Sequence, residues 1–518
     1  MQNFDKNRTT LPPCQIWVVN PFDTLPNESD VELRYWAMCR TFAEQGHNVI
    51  WWTSDFSHLH KTKRKPCPDT NGFRVRFIET PPYTKNISFA RLKNHKAFAE
   101  GFYLDAMAGL NSGELQAPER IIVSLPPLGV AESAFRIRDY TNKKKTVTQI
   151  DESDYTTIPC EVVVDIMDAW PEAFYQLLPK WLRSFLGSIL LTSMHRSAKC
   201  AYRGADKISG VGQSYLDLAQ SYLPSELDDP DGFEHTKRAT GEPFFQTPLH
   251  LCYHGTDLSR FDIDKFVGMT RSPDESKYNS TNIELSPNAT LRAVYMGSMG
   301  SGYDLQTIID TAARWKSDDV FPFQIHFAGT GVQLKKLKVR CQELGLLTPK
   351  RPPHDKSEHE TIHNSTVSRA DFSNARIVFH GFLKKDAINK LLLSSDLALV
   401  TNRPDSLVAC PYKAGEYAAA SLPILSCLKG ELDDLLNHWS AGSVYDEGDA
   451  ASLHAAFGHY LTDLNLLKQQ RSNARKMAEA LFDREKSYQK LSEFILMPSP
   501  RENSPSLNVL RTIESPDK

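Results

Sequence analysis

The sequence lacks the features that mark membrane-spanning, disulfide-bonded or nucleic-acid-binding proteins. No apolar run reaches the roughly 18 residues that cross a bilayer, and the polar start MQNFDKNRTTLPPCQIWVVN has no apolar segment typical of a signal peptide. The nine cysteines are scattered without a C-x-x-C pair, which argues against a zinc site or a disulfide framework. The net charge of −3 argues against a basic surface for nucleic acid. We therefore expect a cytoplasmic protein in a reducing compartment, with no metal and no nucleic-acid partner.

The composition that is present is typical of a globular protein with more than one core. Hydrophobic residues make up 41% and charged residues 24% of the 518 positions. A chain of this length is too long for one ordinary core, so two domains of about 200 residues each are expected. Residues 1–14 are predicted to be disordered.

Apolar strand-like runs alternate with helical segments in the first half of the chain. Residues 32–45 carry apolar side chains at helical spacing, and Gly46 then favours a helix C-terminus. Runs typical of buried strands lie at 15–20, 48–54, 74–80, 120–127, 160–172 and 205–212. Strands that are apolar throughout favour a parallel sheet covered on both faces. We assign residues 15–267 to a first Rossmann-like domain, and we expect this domain to bind an acceptor substrate.

A second alternating series occupies the other half of the chain. Residues 268–290 are polar and are predicted to form a linker, and residues 291–480 a second Rossmann-like domain with an insertion at 349–372. Residues 481–497 are predicted to form a helix that packs back on the first domain, and 498–518 a disordered tail. The predicted fold class is α/β, with two Rossmann-like domains facing across a cleft.

The stretch NRPDSLVACPYKAGEYAAASLPILS at 402–426 is the leading candidate for a binding site. It follows the strand-like run LALV, in the position where open α/β sheets bind ligands. Lys413 can bind a phosphate, Glu416 can accept hydrogen bonds from sugar hydroxyls, and Tyr412 is assigned to the same site. The alternative is that Lys413 and Glu416 form an exposed helix pair worth a few tenths of a kcal/mol.

Three glycine turns follow predicted strands in the second half, at 297–302, 328–331 and 379–382. Backbone N–H groups near a helix start attract phosphate oxygens, and an aromatic ring after a turn can lie against a nucleobase. The candidate donor-site residues from these turns are Gly297, Ser298, Gly300, Ser301, Gly329, Gly381 and Phe382. The alternatives are ordinary tight turns for the glycines and a core position for the aromatic ring.

Polar and aromatic residues also stand at predicted strand ends in the first half. Asp168 is the candidate catalytic carboxylate, with Asp165 as a competing candidate and a helix cap as the alternative role for Asp168. Trp170 is a candidate platform for a sugar ring, and Arg34 a candidate phosphate contact or an exposed helix charge. The candidate acceptor-side residues are Pro21, Arg34, Ser124 and Trp170.

The segment FYQLLPKWLRSFLGSILLTSM at 174–194 combines an apolar helical face with flanking basic residues. This pattern is typical of a helix that lies on an anionic lipid surface, which would place the protein at the inner face of the plasma membrane. A core helix of the first domain is the alternative.

In their order along the chain, these segments resemble the retaining glycosyltransferases of family 4 type, which have two Rossmann-like domains in the glycosyltransferase-B (GT-B) architecture. The likeness is greatest to bacterial enzymes of surface-polysaccharide synthesis. The segments that carry it are FAEQGHNVIWWTS (42–54), VVVDIMDAWPE (162–172), HGTDLSRF (254–261), YMGSMG (295–300), FAGTG (327–331), VFHGFL (378–383) and PYKAGEYAAASLPIL (411–425).

The resemblance implies specific roles for the second half of the chain. The glutamate at the position of Glu416 binds the ribose hydroxyls of a nucleotide-sugar, Lys413 lies near the donor phosphates, and the turns at 297–301 and 381–383 meet the diphosphate and the base. Two departures concern the donor sugar and phosphates. Val408 stands where many members have a second glutamate, and the lysine that often follows the first glycine turn is absent. A third departure is the stretch 23–30, which replaces a glycine-rich acceptor loop.

The resemblance implies transfer of a hexosyl or N-acetylhexosaminyl group from a nucleotide-diphosphate-sugar to a glycan or polyprenyl-linked acceptor, with retention. The nucleotide-sugar is a substrate, so no cofactor is expected, and Lys413 with the loop amides stabilises the leaving diphosphate. Two alternatives stay open. One is a sugar-nucleotide epimerase of the same architecture, and the other is an inactive protein that binds sugar nucleotides or glycans.

Overall fold

The computed structural model describes residues 12–67, 70, 72–86, 88–149, 158–175, 187–223, 247–262, 278–279, 282–283, 290–315, 323–347 and 376–499. The chain divides into two compact units, which we call unit 1 (Met1–Tyr253 with Lys486–Lys518) and unit 2 (His254–Glu485). All of the predicted insertion (349–372) and most of the predicted linker (268–290), tail (498–518), disordered start (1–14) and membrane-facing segment (174–194) lie outside the described residues.

Unit 1 is built on a seven-stranded sheet with the order β3-β2-β1-β4-β5-β6-β7, in which every neighbouring pair is parallel. The strands are β1 Gln15–Val19, β2 Asn48–Ser54, β3 Phe73–Ile78, β4 Arg120–Leu125, β5 Glu161–Ile166, β6 Lys207–Gly210 and β7 Leu249–Leu251. Strands β1, β4 and β5 are buried at every residue. Burial on both faces explains why their sequences are mainly apolar runs without alternation.

Helices connect these strands and cover the sheet. They are α1 Arg34–Glu44, α2 Phe89–Ser112, α3 Gly129–Gln149, α4 Glu172–Tyr175, α5 Gly187–Gly204 and α6 Gln213–Tyr222. Helix α1 turns Tyr35, Met38 and Phe42 toward the core, at the spacing that the sequence pattern predicted. Helix α2 begins after Ser88, whose side chain accepts a hydrogen bond from the backbone N–H of Arg91.

Unit 2 contains a second parallel sheet of six strands with the order β12-β11-β10-β13-β14-β15. A short antiparallel pair, β8 Tyr278–Asn279 and β9 Asn282–Ile283, precedes it. The six strands are β10 Leu291–Met296, β11 Phe323–Ala328, β12 Ile377–Gly381, β13 Leu397–Val400, β14 Ile424–Ser426 and β15 Gly442–Val444. The helices are α7 Gln306–Arg314, α8 Leu334–Glu343, α9 Lys385–Leu393, α10 Tyr412–Ala419, α11 Glu431–Trp439, α12 Ala450–Thr462 and α13 Leu464–Met477.

The final helix, α14 (Arg484–Leu496), carries the chain from unit 2 back into unit 1. Its residues Tyr488, Leu491 and Ile495 are buried in the same apolar cluster as Tyr35 and Phe42 of α1. This burial of apolar side chains fixes the C-terminal helix on unit 1.

Both sheets place their first strand beside their fourth, β1 beside β4 and β10 beside β13. Chain connections diverge at such a position, which leaves an opening at the carboxyl ends of the two strands where ligands bind in open α/β sheets. The predicted α/β fold with two Rossmann-like parallel sheets is confirmed. Among the described helices, none has both the length and the hydropathy to span a bilayer.

Candidate functional site

The glycine turn after β10 lies at the opening beside β13. The loop after β13 is bonded to it: the N–H of Asp304 donates to the carbonyl of Thr401 at 2.8 Å, and the N–H of Arg403 donates to that of Gly302 at 3.1 Å. These bonds hold the two loops side by side at the position where an open α/β sheet binds its ligand.

Only some of the predicted phosphate-binding amides in this turn are free. The N–H of Gly297 donates to the carbonyl of Ala328 at 2.9 Å, so it is occupied within the protein. The backbone N–H groups of Ser298, Gly300 and Ser301 make no intramolecular hydrogen bond within the described part of the chain. Among the amides that the sequence predicted to bind phosphate, these three are therefore the ones without a partner inside the protein.

Gly329 shapes this turn from the neighbouring strand. Its φ is +140°, and a Cβ at this position would lie 1.9 Å from the carbonyl oxygen of Gly297, so no side chain fits. Its own N–H donates to the carbonyl of Gly381 at 2.7 Å. Gly329 therefore acts through packing, and its amide is not free for the donor contact that the sequence predicted.

Lys413 is almost fully enclosed, with 9% of the residue exposed. Its Nζ lies 4.5 Å from the ring centroids of both Tyr295 and Tyr303. A Cβ added to Gly297 would be 3.1 Å from this Nζ, which places the ammonium group against the glycine turn. Burial lowers the pKa of Lys413 to about 7. The alternative of an exposed pair between Lys413 and Glu416 is wrong.

Glu416 instead pairs with a residue that the sequence reasoning did not select. Arg260, in the turn Leu258–Phe261, donates from Nη1 to Glu416 Oε1 at 2.8 Å and from Nη2 to Asn389 Oδ1 at 2.8 Å. The Arg260 side chain is 8% exposed and that of Glu416 is 21% exposed. Glu416 Oε2 makes no hydrogen bond within the described residues, so it is available to a hydroxyl donor. Arg260 lies in the segment HGTDLSRF, which was the signal that could have identified it.

Several buried polar atoms of unit 2 have no partner within the described structure. They lie on the loop after β13, on α10 and on the turn Leu258–Phe261. They are Asn402 Oδ1, Ser406 Oγ, Lys413 Nζ and Arg260 Nε. Folded proteins satisfy about 90% or more of their buried polar groups, so such a set indicates that a polar ligand completes this region.

Two predicted aromatic contacts differ in their surroundings. The ring of Tyr412 stacks on that of His254, with centroids 3.6 Å apart and an interplanar angle of 21°. Phe382 is 80% exposed beside Gly381, so the alternative of a core position is wrong. An exposed ring after a strand can stack on a flat ligand.

Val408 follows Leu407, whose positive φ of 53° is uncommon for a branched residue and marks local backbone strain.

In unit 1 the two candidate carboxylates have different environments. Asp168 is an exposed residue, but the protein atoms around its carboxyl group disfavour the charged form and raise its pKa to about 6, against the opposing effect of the Arg91 charge. Its carboxylate makes no hydrogen bond within the described residues, so the helix-cap alternative has no support. Asp165 is fully buried and accepts hydrogen bonds from Arg34, Tyr35 and Ser209. It is therefore part of the core.

The predicted role of Arg34 as a phosphate contact is wrong. The residue is 0% exposed, and its guanidinium donates to both oxygens of Asp165 at 2.8 Å and to the carbonyl of Cys252 at 2.9 Å. Burial opposes ionisation of Asp165, but the charge of Arg34 outweighs it and holds the Asp165 pKa below its usual value. The guanidinium is fully buried and each of its three nitrogens donates inside the protein, so a ligand cannot reach this cation.

The other acceptor-side predictions also need correction. Ser124 is 0% exposed and donates from Oγ to the carbonyl of Pro126 at 3.2 Å, so it is closed to a ligand. Trp170 is 7% exposed, with its ring centroid 4.5 Å from that of Phe174 and 5.4 Å from that of His95. Neighbouring rings thus cover the face that was predicted to hold a sugar. Pro21 is buried.

Unit 1 contains a group of side chains that sequence reasoning missed, on the segments after β1, β2 and β3, at the start of α2 and after β5. We call it the basic–aromatic cluster; it consists of Phe22, His58, Lys61, Tyr83, Arg91, His95 and Trp170. The Arg91 guanidinium carbon lies 5.4 Å from the ring centroid of Phe22 and 5.6 Å from that of Trp170. Its Nε donates to His95 Nε2 at 3.2 Å. Arg91 therefore lies against the ring of Trp170, and its charge acts on Asp168.

Within the described residues, no group of three or more histidine, cysteine or acidic side chains is arranged to hold a metal ion.

The sequence matches no family model, and no curated protein matches it.

Solved structures share the fold at low sequence identity. Sucrose-phosphate synthase from Thermosynechococcus elongatus has a TM-score of 0.58 at 13% identity, over 93% of this chain and 98% of that one. Anabaena HepE in complex with UDP-glucose has a TM-score of 0.54 at 12% identity, over 93% and 99%. WaaG, a glycosyltransferase involved in lipopolysaccharide biosynthesis, has a TM-score of 0.51 at 12% identity, over 93% and 100%. The chain therefore has the α/β fold of the GT-B glycosyltransferases.

Proposed function

We propose that the protein is a glycosyltransferase that uses a nucleotide-diphosphate-sugar donor, with the donor bound by unit 2 and the acceptor by unit 1. The observation that carries the proposal is the set of buried polar atoms without described partners on the loop after β13, on α10 and on the turn Leu258–Phe261, with Lys413 Nζ among them. A nucleoside diphosphate supplies the missing partners in kind: phosphate oxygens for an ammonium and for amides, and ribose hydroxyls for a carboxylate. The shared fold with HepE, which was solved with UDP-glucose, supports a UDP-sugar as the first donor to test.

The roles in unit 2 follow from charge. The diphosphate gains negative charge as the glycosidic bond breaks, and Lys413 together with the free amides of Ser298, Gly300 and Ser301 stabilises it. Glu416, held by Arg260, accepts hydrogen bonds from the ribose hydroxyls through Oε2. Gly381 and the exposed ring of Phe382 lie against the base, and Tyr412 borders the site from the start of α10.

Asp168 is the proposed catalytic carboxylate of unit 1. It is an exposed residue, its carboxylate accepts no hydrogen bond within the described chain, and its pKa is about 6. Above that pH it is ionised and can accept a hydrogen bond from the acceptor hydroxyl that attacks the donor. Placing that hydroxyl reduces the entropy that the reaction must otherwise lose.

The finer proposal is retaining transfer of a hexosyl or N-acetylhexosaminyl group to a glycan or lipid-linked acceptor in surface-polysaccharide or glycoconjugate synthesis. It rests on the resemblance in sequence. The fold shared with WaaG, from lipopolysaccharide biosynthesis, is consistent with such an acceptor. Contact with the inner face of the plasma membrane through residues 174–194 belongs to the same proposal.

The test is a transfer assay with a panel of nucleotide-sugars against free glycans and a polyprenyl-linked acceptor. Product anomers are identified by NMR. We expect turnover with at least one pair, and we expect Glu416→Ala to abolish measurable donor binding in calorimetry. Binding of nucleotide-sugars without turnover across the panel would contradict the transferase and leave a binding protein. Absence of any nucleotide binding would contradict the donor site itself.

A further inference from the structure

The basic–aromatic cluster contains two cations, Lys61 and Arg91, that make no direct contact with an acidic side chain among the described residues; Asp168 acts on Arg91 through its charge only. Within the described residues neither forms an ion pair with a carboxylate. Other basic residues of unit 1 do: Lys63 pairs with Asp55, and Arg76 with Asp105.

A shared neighbour holds the two cations together. Lys61 Nζ donates to Asn86 Oδ1 at 2.6 Å, and Arg91 Nη1 donates to the carbonyl of Asn86 at 2.8 Å. Lys61 Nζ also lies 4.4 Å from the ring centroid of Tyr83. Arg91 also donates from Nε to His95 Nε2, and its Nη2 makes no hydrogen bond within the described chain. Donors of both groups remain for a ligand.

The electrostatics of the cluster favour an anion. Burial lowers the pKa of Lys61 and that of Arg91, and the charge of Arg91 lowers the pKa of Lys61 further. Burial, with the charges of Lys61, Arg91 and Arg64, lowers the pKa of His58 to about 4. Burial, with the charge of Arg91, lowers the pKa of His95 to about 3, so both rings are neutral at neutral pH. The positive charge of the cluster therefore rests on Lys61 and Arg91. An anionic ligand would reduce the free-energy cost of keeping these partly buried groups charged.

The position of the cluster associates it with substrate. Phe22 follows β1, Lys61 follows β2 and Tyr83 follows β3, so these residues lie at the carboxyl edge of the parallel sheet, where open α/β sheets bind ligands. Arg91 contacts Trp170, two residues from Asp168. A planar guanidinium beside a mobile ammonium is well suited to the oxygens of a phosphate group.

We propose that Lys61 and Arg91 bind a phosphate group carried by the acceptor substrate. This inference rests on the proposed function and defines its second substrate more closely, as an acceptor with a phosphate near the hydroxyl that is glycosylated. The phosphate has two possible sources, a soluble sugar phosphate and the headgroup of a lipid.

The test is phosphate binding with the donor site filled by saturating UDP. Inorganic phosphate is titrated in calorimetry, and co-sedimentation is measured with vesicles of phosphatidylglycerol and phosphatidylcholine in equal parts. The double variant Lys61→Gln/Arg91→Gln loses two charge-assisted contacts, and we expect each loss to weaken binding about tenfold or more. The matched control is Lys96→Gln on α2, the helix that carries Arg91. The exposed Lys96 pairs with Glu100 at 3.6 Å. This substitution should leave binding unchanged.

The two probes separate the sources of the phosphate. Loss of inorganic phosphate binding alone identifies a soluble phosphate, and loss of vesicle binding identifies a lipid headgroup. If the double variant binds both probes as the wild type does, the inference is overturned. The single variant Arg91→Lys keeps the charge and should retain most binding. It keeps the test informative if folding of the double variant is impaired. UDP affinity tests the proposed function separately. If UDP binds normally and the double variant binds phosphate as the wild type does, only this inference is contradicted.

Discussion

Arg34 in unit 1 and Lys413 in unit 2 are both basic side chains withdrawn from solvent, but their partners differ. Arg34 is 0% exposed and Lys413 is 9% exposed. Arg34 makes three hydrogen bonds to oxygen acceptors, two of them to Asp165. Lys413 Nζ has no hydrogen-bond partner in the described structure and faces the rings of Tyr295 and Tyr303.

The difference separates a structural cation from one that awaits a ligand. At Arg34, burial opposes the charge but Asp165 more than compensates, and its pKa lies well above the usual value. At Lys413, burial acts without compensation and lowers the pKa to about 7. A buried charge with a complete set of partners contributes to one folded arrangement, whereas an uncompensated one raises the energy of the ligand-free protein. Four changes test this comparison.

Removing the paired cation should have the largest effect on stability. Arg34→Met leaves Asp165 buried without its counter-ion, so we expect a loss of about 3–5 kcal/mol in the free energy of unfolding. Urea denaturation measures it. Arg34→Met/Asp165→Leu should recover part of this loss because the orphaned charge is then gone. A loss below about 1 kcal/mol in the single variant would show that the pair is not structural.

Removing the unpaired cation should affect the reaction and spare the fold. Lys413→Met deletes a group that stabilises the leaving diphosphate, and we expect kcat to fall about a hundredfold. The free energy of unfolding should be unchanged or higher, because a costly buried ammonium is replaced by an apolar side chain. Lys390→Met, at an exposed position of α9, is the control. A normal kcat for Lys413→Met would remove this residue from the mechanism.

A smaller effect is expected where a second cation acts through a carboxylate. Arg260→Gln should weaken UDP binding about tenfold, because Glu416 loses the charge-assisted bond that orients it. The readout is the ratio of affinities for UDP and 2′-deoxy-UDP, which falls if the variant can no longer read the ribose hydroxyl. A variant that weakens both nucleotides equally would mean that Arg260 does not position Glu416.

The smallest expected change in measured affinity is its dependence on pH, which should distinguish Lys413 from Arg34. The ordinary lysine pKa is 10.5 and that of folded Lys413 is about 7, so between these values the unfolded chain binds more protons and stability rises with pH. Donor binding has the opposite dependence, because the diphosphate favours the ammonium form and its binding takes up a proton. Burial raises the pKa of Tyr295 and that of Tyr303, so both rings stay neutral here.

Calorimetry of UDP-glucose binding at pH 8, in buffers with different ionisation enthalpies, measures this proton directly. Wild type should take up a proton on binding and Lys413→Met should not. Equal values for the two proteins would show that Lys413 is not the group that titrates.

The sequence predicted the sheets better than it predicted the role of each side chain. Mainly apolar runs such as 160–166 identified buried parallel strands, because burial on both faces leaves a strong local pattern. Helix α2, which supplies Arg91, was missed because its pattern is irregular: Phe89 and Leu104 are exposed, and Gly101 and Gly109 lie inside it against Ile78 and Leu115.

Roles that depend on distant partners could not be predicted locally. Arg34 opens a helix as a ligand-binding arginine often does, and Asp165, which defines its role, is 131 residues away. Lys413 and Glu416 stand three apart on one helix, but packing encloses the lysine against tyrosines from the neighbouring strand and loop, and Arg260 pairs with the glutamate from 156 residues away. The position of a strand end is a local property, whereas the partner of a charge is a tertiary one.

The most direct test of the central claim is a crystal structure of the protein with UDP bound. We expect the diphosphate over the turn after β10, with a phosphate oxygen within hydrogen-bond distance of Lys413 Nζ and of at least one amide among Ser298, Gly300 and Ser301. The ribose should contact Glu416. A nucleotide bound elsewhere, with Lys413 still enclosed between Tyr295 and Tyr303 and without a phosphate, would contradict the account.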